Sequence, residues 1–282
     1  MRVACVIPRF NPCSYVRPRE NFHRFIDALQ RQMNIADVFV VEALFPGQVS
    51  DGWWTPIAAT ENNFLWQKER LVNLGIEQLP TEYDAIAWID ADLIFRNRHW
   101  YEQTCQMLHD YPVLQLFETV TYLGPDGETP HRHGCGSASA GEKLVFRAPG
   151  GAIAVRRDII PNGIYDRDVL GGGDQIFMGA CLGTHQTFWR KRHPPWRDAI
   201  QQWCESFGTH SVGVVPGNVK HLYHGSREGR QYTSRHQILA THAYDPTTDI
   251  RVGDNGLLEW ASDKPDLHSA VRGYFTDRQE DH

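Results

Sequence analysis

Asp84-Ala85-Ile86-Ala87-Trp88-Ile89-Asp90-Ala91-Asp92-Leu93 is the stretch whose reading decides the fold. The apolar run Ala85–Ile89, closed by an aspartate at each end, is too short for a buried helix and offers no polar face. It predicts a strand covered on both sides, as in a parallel sheet. Its C-terminal end carries two carboxylates one residue apart, and that edge of an open α/β sheet is where ligands bind. Asp-x-Asp also arises as turn chemistry after a strand. At a strand end the same pair can hold a hard divalent cation through oxygen and leave positions open for phosphates.

Working outward, Leu65, Val72, Ile76 and Leu79 share one helical face, in a helix that starts after Asn62 or Asn63 and stops at Pro80. Upstream, Arg2 to Pro8 with Val3, Val6 and Ile7, a helical stretch from Glu20 to Met33, and Val38 to Val41 predict a β-α-β opening. Alternating helices and buried strands predict an α/β fold with a mainly parallel sheet. Beyond Tyr111, Val113 to Phe117 and Val145 to Phe146 read as strands, and the Gly-, Ser- and His-rich stretch from Gly124 to Gly141 reads as a long loop. A short helix is expected from Gln175 to Leu182. Val212 to Val215 and Val219 to Tyr223 are expected to pair around Pro216-Gly217-Asn218. From Arg235 the chain predicts a helix with Ile238 and Leu239, a turn-rich link and an amphipathic stretch from Leu267 to Phe275. With no internal repeat and no linker, the organisation expected is one domain over 1–232 with a C-terminal helical extension, 233–282, packed on it.

Composition sets the bounds. The 282 residues are 41% hydrophobic and 22% charged, the balance of a globular protein. Six cysteines without a Cys-x-x-Cys pair indicate neither a disulfide framework nor a structural zinc site. No run approaches the length of a membrane span, and Met1-Arg2-Val3-Ala4-Cys5-Val6-Ile7-Pro8 is too short for a secretory signal, so a cytoplasmic location is expected. A formal net charge of -6 requires a local basic patch for any polyanionic partner. Arg190, Lys191, Arg192 and Arg197, interleaved with Phe188, Trp189 and Trp196, are the candidate patch, because cations draw phosphates and aromatic rings stack on bases. Buried tryptophans in a solvated loop would give the same pattern. His131-Arg132-His133-Gly134-Cys135 has ligand types for a soft metal but a loop composition.

Two further constellations carry chemistry. Gly171-Gly172-Gly173-Asp174 lets the backbone come close to a ligand and sets a carboxylate at a helix start, where aspartate also serves as a plain N-cap. His221 and His224 follow a predicted strand, and neutral imidazole completes many divalent sites. Arg227, Arg230, Tyr232 and Arg235 come next, arginine being suited to bidentate phosphate contacts.

The opening strand, Gln67-Lys68-Glu69-Arg70-Leu71-Val72-Asn73 and Ala87-Trp88-Ile89-Asp90-Ala91-Asp92 together resemble the donor half of the GT-A glycosyltransferases, over about Arg2 to Tyr232. The resemblance implies a GT-A fold, a nucleotide diphosphate sugar donor, UDP-sugar foremost, and Mn2+ or Mg2+. It places Asp90 on the ribose and metal, Asp92 on the metal, and His224 as the third metal ligand with His221 as the alternative. Pro8, Lys68, Asn73, Gly151, Arg227 and Arg230 would lie on the donor, with small residues of Gly150-Gly151-Ala152 under the sugar. Asp174 would take the acceptor's proton in an inverting transfer, help typically worth about 10²–10⁴-fold. Similar inverting enzymes often have Glu-Asp where this chain has Gly173-Asp174. The set of Gln67–Arg70, Asp90–Asp92 and His224–Tyr232 also looks like viral and bacterial enzymes that glucosylate hydroxymethylated pyrimidines in DNA, which makes DNA one acceptor to consider and a surface glycan its rival. A sugar nucleotidyltransferase would carry a basic glycine-rich loop where this chain has Pro8-Arg9-Phe10-Asn11-Pro12. A non-catalytic sugar-nucleotide-binding module would keep the same carboxylates without turnover.

Overall fold

The computed structural model describes residues 1–136, 148–184, 192–232 and 234–282. Its central sheet has seven strands: β1 Val3–Phe10, β2 Val38–Leu44, β3 Ile57–Ala58, β4 Ala85–Ile89, β6 Val113–Gln115, β9 Ala152–Arg156 and β10 Val212–Val214, in the order β10-β6-β9-β4-β1-β2-β3. All neighbours are parallel except at β9, which runs antiparallel to both β4 and β6. The alternation of strand side chains explains why Ala85–Ile89 has no polar face. Ala4 and Val6 of β1 with Ile86 and Trp88 of β4 enter one core cluster, and Val3, Cys5 and Ile7 with Ala85, Ala87 and Ile89 enter the other.

A second sheet of four strands, β5 Leu93–Phe95, β7 Thr119–Leu123, β8 Pro130–Cys135 and β11 Asn218–His221, has the order β5-β11-β7-β8. It continues directly from the end of β4 through Asp90-Ala91-Asp92, so the two sheets meet at the acidic pair. Three expectations are corrected here. Val212–Val214 and Asn218–His221 do not pair with each other: the turn between them carries the chain from one sheet to the other, where β10 lies on β6 and β11 on β5 and β7. Within the expected loop from Gly124, Pro130–Cys135 forms an edge strand on β7. The extension is not wholly helical, because β12 Ile250–Val252 and β13 Leu258–Trp260 form an antiparallel pair within it. The expected strand at Val145 to Phe146 lies outside the described residues.

The helix α1 spans Val16–Leu29 and begins four residues earlier than periodicity alone indicates. Pro18 is compatible with a first turn, which has no intrahelical partner for its N–H groups. The free N–H groups of Val16 and Arg17 donate to the Asp281 carboxylate at 3.2 and 2.8 Å. The helix α2 starts at Lys68 rather than at Asn63, whose side chain closes a short 3-10 turn at Glu61–Asn63 and donates to the Leu258 carbonyl. The last helix, Pro265–Asp277, buries Leu267, Val271, Tyr274 and Phe275 in the same core cluster as Val6 and Trp88. Among the described residues, no helix is long and apolar enough to cross a membrane.

The close seat of α2 (Lys68–Gln78) on the sheet depends on Gly75, where a Cβ would lie 2.5 Å from Val6 Cγ1 and 3.2 Å from Val41 Cγ2. Gly75→Ala gains helix propensity but overpacks the core. It is expected to lower stability by about 1–3 kcal/mol in urea unfolding; an unchanged midpoint would show that α2 can shift without cost.

Candidate functional site

A cavity of about 800 Å³ opens where the C-terminal ends of β1, β2 and β4 meet the second sheet and the last helix. Pro8, Lys68, Asp90, Asp92, Gly151, Asp174, His221, His224, Arg227 and Arg230 all line it. The one expected site residue it leaves out is Asn73. That amide is buried one helical turn further along α2, donates to the Ile164 carbonyl at 2.8 Å and accepts from the Ile164 N–H at 2.8 Å. Its role is to fix the 163–166 turn, which corrects the expected nucleotide contact.

On one side of the cavity stands an acidic cluster around a single amine. Lys68 Nζ lies 2.6 Å from Asp90 Oδ1 and 2.7 Å from Asp174 Oδ2, so the lysine is engaged by two carboxylates rather than free for a nucleotide. Trp88 Nε1 donates to the other Asp174 oxygen at 3.4 Å. Asp174 sits in the first turn of the helix Gly173–Cys181 and makes no cap with its side chain, which removes the N-cap account of it. A Cβ on Gly150 would overlap the Asp174 carboxylate, so that glycine makes room for Asp174 itself. The glycine run likewise accommodates protein, not ligand: a Cβ at Gly171 would press on the Trp66 ring, and one at Gly173 would overlap Glu69. Gly171 and Gly172 have φ of +79° and +124°, a region closed to most side chains.

Electrostatics follow from burial. Desolvation alone would lower the Lys68 ammonium, but Asp174, Asp90 and Glu69 raise it, so it stays charged. Burial, opposed by Lys68 and reinforced by Asp174, pushes the Glu69 carboxyl up to about 8. The Asp90 carboxyl is raised by desolvation against the pull of Lys68, with Asp174 and Asp92 adding to the rise. Sequence reasoning passed over Glu69 as a site residue; its adjacency to Lys68 at the start of a buried helix was the available signal.

On the other side, Asp92, His221 and His224 form the one group of potential metal ligands among the described residues, each offering an atom within 4.8 Å of the others. His224 Nε2 is 2.7 Å from Asp92 Oδ2, and His221 Nε2 is 3.7 Å from the same oxygen. Both histidines are therefore present, not one in place of the other, whereas Asp90 is turned to Lys68 and is not in the group. Asp92 Oδ1 is buried with no hydrogen-bond partner, and burial lowers His221 to about 4, which keeps its imidazole neutral. An unpartnered carboxylate oxygen beside neutral imidazole is the donor set a divalent ion takes. Although burial raises Asp92, His221, His224 and Arg230 hold its carboxyl well below the usual range. The His131, His133 and Cys135 run lies on the edge strand β8 and joins no such group.

Cations close this side. Arg230 and Arg235 are 6% and 7% exposed, and the Nε of each has no hydrogen-bond partner. Arg230 donates to Tyr232 Oη at 2.9 Å and to the His224 carbonyl at 3.2 Å, and Arg227 is exposed at the rim. Two members of the basic aromatic patch are corrected: Trp196 is fully buried, and Arg192 is an interior residue whose guanidinium donates to Asp168 at 3.0 Å and lies over the Trp196 ring at 4.1 Å. Arg197 pairs with its neighbour Asp198 at 3.0 Å, and 188–191 lie outside the described residues.

No protein-family model matches this chain, and no curated protein matches it. Among solved structures it is similar to the catalytic domain of Drosophila beta1,4-galactosyltransferase 7 in complex with xylobiose, at 14% identity and a TM-score of 0.44, covering 95% of this chain and 99% of that one. It is also similar to glucosyl-3-phosphoglycerate synthase from Mycobacterium tuberculosis in complex with phosphoglyceric acid, at 13% identity and 0.40, covering 80% and 72%. A third is S. aureus TarS, at 12% identity and 0.40, covering 63% and 54%. The function rests on the chemistry of the cavity itself.

The raised Glu69 carboxyl makes the acidic cluster measurable. The folded chain keeps this proton up to about pH 8, while an unfolded glutamate releases it near about 4.3. Between those values the folded state binds the extra proton, so stability falls as pH rises, by at most about 1.4 kcal/mol per pH unit for one proton. Glu69→Gln is expected to reduce this slope, leaving the part that the raised Asp90 carboxyl contributes, and to be the more stable form at the alkaline end. Urea unfolding across the window tests it, and an unaltered slope would remove Glu69 as its source.

Proposed function

We propose that this chain is a metal-dependent glycosyltransferase that moves a sugar from a nucleoside diphosphate sugar, a UDP-sugar foremost, to a hydroxyl acceptor with inversion at the anomeric carbon. The observation that carries the reading is the division of one cavity. Asp92 with two imidazoles, backed by Arg227 and Arg230, lines it on one side, and the Asp174 carboxylate lines it on the other. A divalent cation held by Asp92, His221 and His224 would supply positive charge against a diphosphate.

The chain's own groups account for the rest. The Arg230 guanidinium, with Arg227 at the rim, lines the cavity and offsets the charge of the departing nucleoside diphosphate. Asp174, fixed by Lys68 Nζ and the Trp88 N–H, is oriented to accept a proton rather than left to rotate. An acceptor oxygen attacks the anomeric carbon, its proton passes to Asp174, and the sugar–phosphate bond breaks with its electron pair on the diphosphate. Attack opposite the leaving group inverts the centre.

The acceptor is proposed only as a hydroxyl. A 5-hydroxymethylpyrimidine in DNA remains the finer reading from the sequence resemblance, but the basic segment that was its physical support belongs in part to the core. Incubation of the protein with a panel of nucleotide-sugars and Mn2+, with and without hydroxymethylated DNA, followed by mass analysis of nucleosides and released nucleotide, tests both levels. Mn2+-dependent donor turnover is expected. Asp174→Asn should reduce transfer by about 10²–10⁴-fold while donor binding survives. An adduct on the base identifies DNA, and turnover without one directs the search to glycans. A protein that neither binds nor turns over any donor would end the glycosyltransferase reading.

A further inference from the structure

His224 is held from two sides. Its Nε2 faces Asp92 at 2.7 Å, and its Nδ1 lies 3.1 Å from Glu280 Oε1, a residue 56 positions away near the C-terminal end of the chain. A neutral imidazole carries one N–H, so it can donate to only one of the two carboxylates. If that N–H is on Nδ1, toward Glu280, the Nε2 lone pair is presented at Asp92 and the cavity, where a cation would resolve the otherwise repulsive contact of lone pairs.

Glu280 is itself fixed. Arg278 donates to Glu280 Oε1 through both Nε and Nη2, and Arg278 Nη1 donates to Tyr274 Oη at 2.9 Å. The segment is fastened elsewhere too: the Gln279 N–H donates to Tyr15 Oη at 3.2 Å, and Asp281 accepts the Val16 and Arg17 N–H groups at the start of α1. The loop after His224 is shaped to receive it. Gly225, at φ +89°, lies against this segment so closely that a Cβ would be 3.0 Å from the Arg278 carbonyl oxygen and 3.1 Å from Glu280 Cα.

We propose that Glu280 is a positioning residue for the metal centre: it fixes His224 as the Nδ1–H tautomer, and the Arg278–Asp281 segment is thereby a structural part of the site. The inference rests on the metal reading of Asp92, His221 and His224. Histidine ligands commonly donate their other N–H to a carboxylate, and loss of that carboxylate typically costs about 10–100-fold in metal affinity or activity.

The test is Mn2+ affinity, read from the electron-paramagnetic-resonance signal of free ion, together with the 15N resonance of His224 Nδ1 in metal-free protein. Glu280→Gln is expected to weaken Mn2+ binding by about 10–100-fold and to move Nδ1 from the protonated to the unprotonated type of resonance. Asp281→Asn, which loosens the same segment at α1 without touching His224, is expected to lower thermal stability and leave both readouts unchanged. Equal affinity in wild type and Glu280→Gln, or equal loss in Asp281→Asn, overturns the positioning role while the metal reading stands. A wild-type protein that binds no Mn2+ overturns the metal reading, and the inference with it.

Discussion

A single buried ammonium, Lys68, lies between two carboxylates that come from the end of one strand and the start of a distant helix, and the cavity is organised around it. Carboxylates this close to a protein interior are tolerated only when paired, because desolvation of an isolated charge costs several kcal/mol. Lys68 can offset one of them in full and cannot offset Asp90, Asp174 and Glu69 together. Burial first, and then the charge of Asp174, accordingly raises the Glu69 carboxyl against the pull of Lys68. The lysine can stand there only because α2 sits tightly on β1, so that its first residue projects past the strand ends. The packing of Gly75 on Val6 and the position of the amine are thus one constraint.

The parts of the fold that repeat locally were legible in the sequence. Ala85–Ile89 is a strand buried on both faces, and Leu65, Val72, Ile76 and Leu79 are all interior. The first follows from an unbroken apolar run and the second from a 3.6-residue period, both set by neighbours along the chain, although Leu65 and Leu79 flank α2 rather than lie within it. Pairings did not follow in the same way. Val212–Val214 and Asn218–His221 flank a Pro-Gly-Asn turn as hairpin strands do, but each finds a better partner in another sheet, and no local signal records that. Arg192 misled for a related reason: it is compensated by Asp168, and composition does not show which carboxylate a cation will meet after folding.

The candidate site divides along the same line. Asp90, Asp92, Asp174 and His224 stand out by type and by setting at strand or helix ends, and all of them reach the cavity. Asn73 stood out by a motif alone, and it lies a turn away with its amide bonded to Ile164 and Asp166. Glu280 gave no sign, because its significance is a contact with His224 made by the far end of the chain. Residues that act through others are the least legible, since their chemistry is that of an ordinary surface carboxylate until the fold supplies the neighbour.

Asp90 and Asp92 read as a matched pair, yet their environments differ because the chain turns between them. The Asp90 N–H still donates to the Gly151 carbonyl at 2.6 Å, at the end of the β4–β9 ladder, while the Asp92 carbonyl already accepts from Leu222 beyond β11 in the second sheet. One carboxylate is therefore delivered to Lys68 and the other to the histidines. The tripeptide is the joint of the two sheets, which explains how residues one position apart can serve opposite walls of a cavity. It also means that the spacing between the Lys68-bound carboxylate of Asp90 and the Asp92–histidine group is set by a short covalent link, whereas Asp174 reaches the cavity from the separate helix Gly173–Cys181.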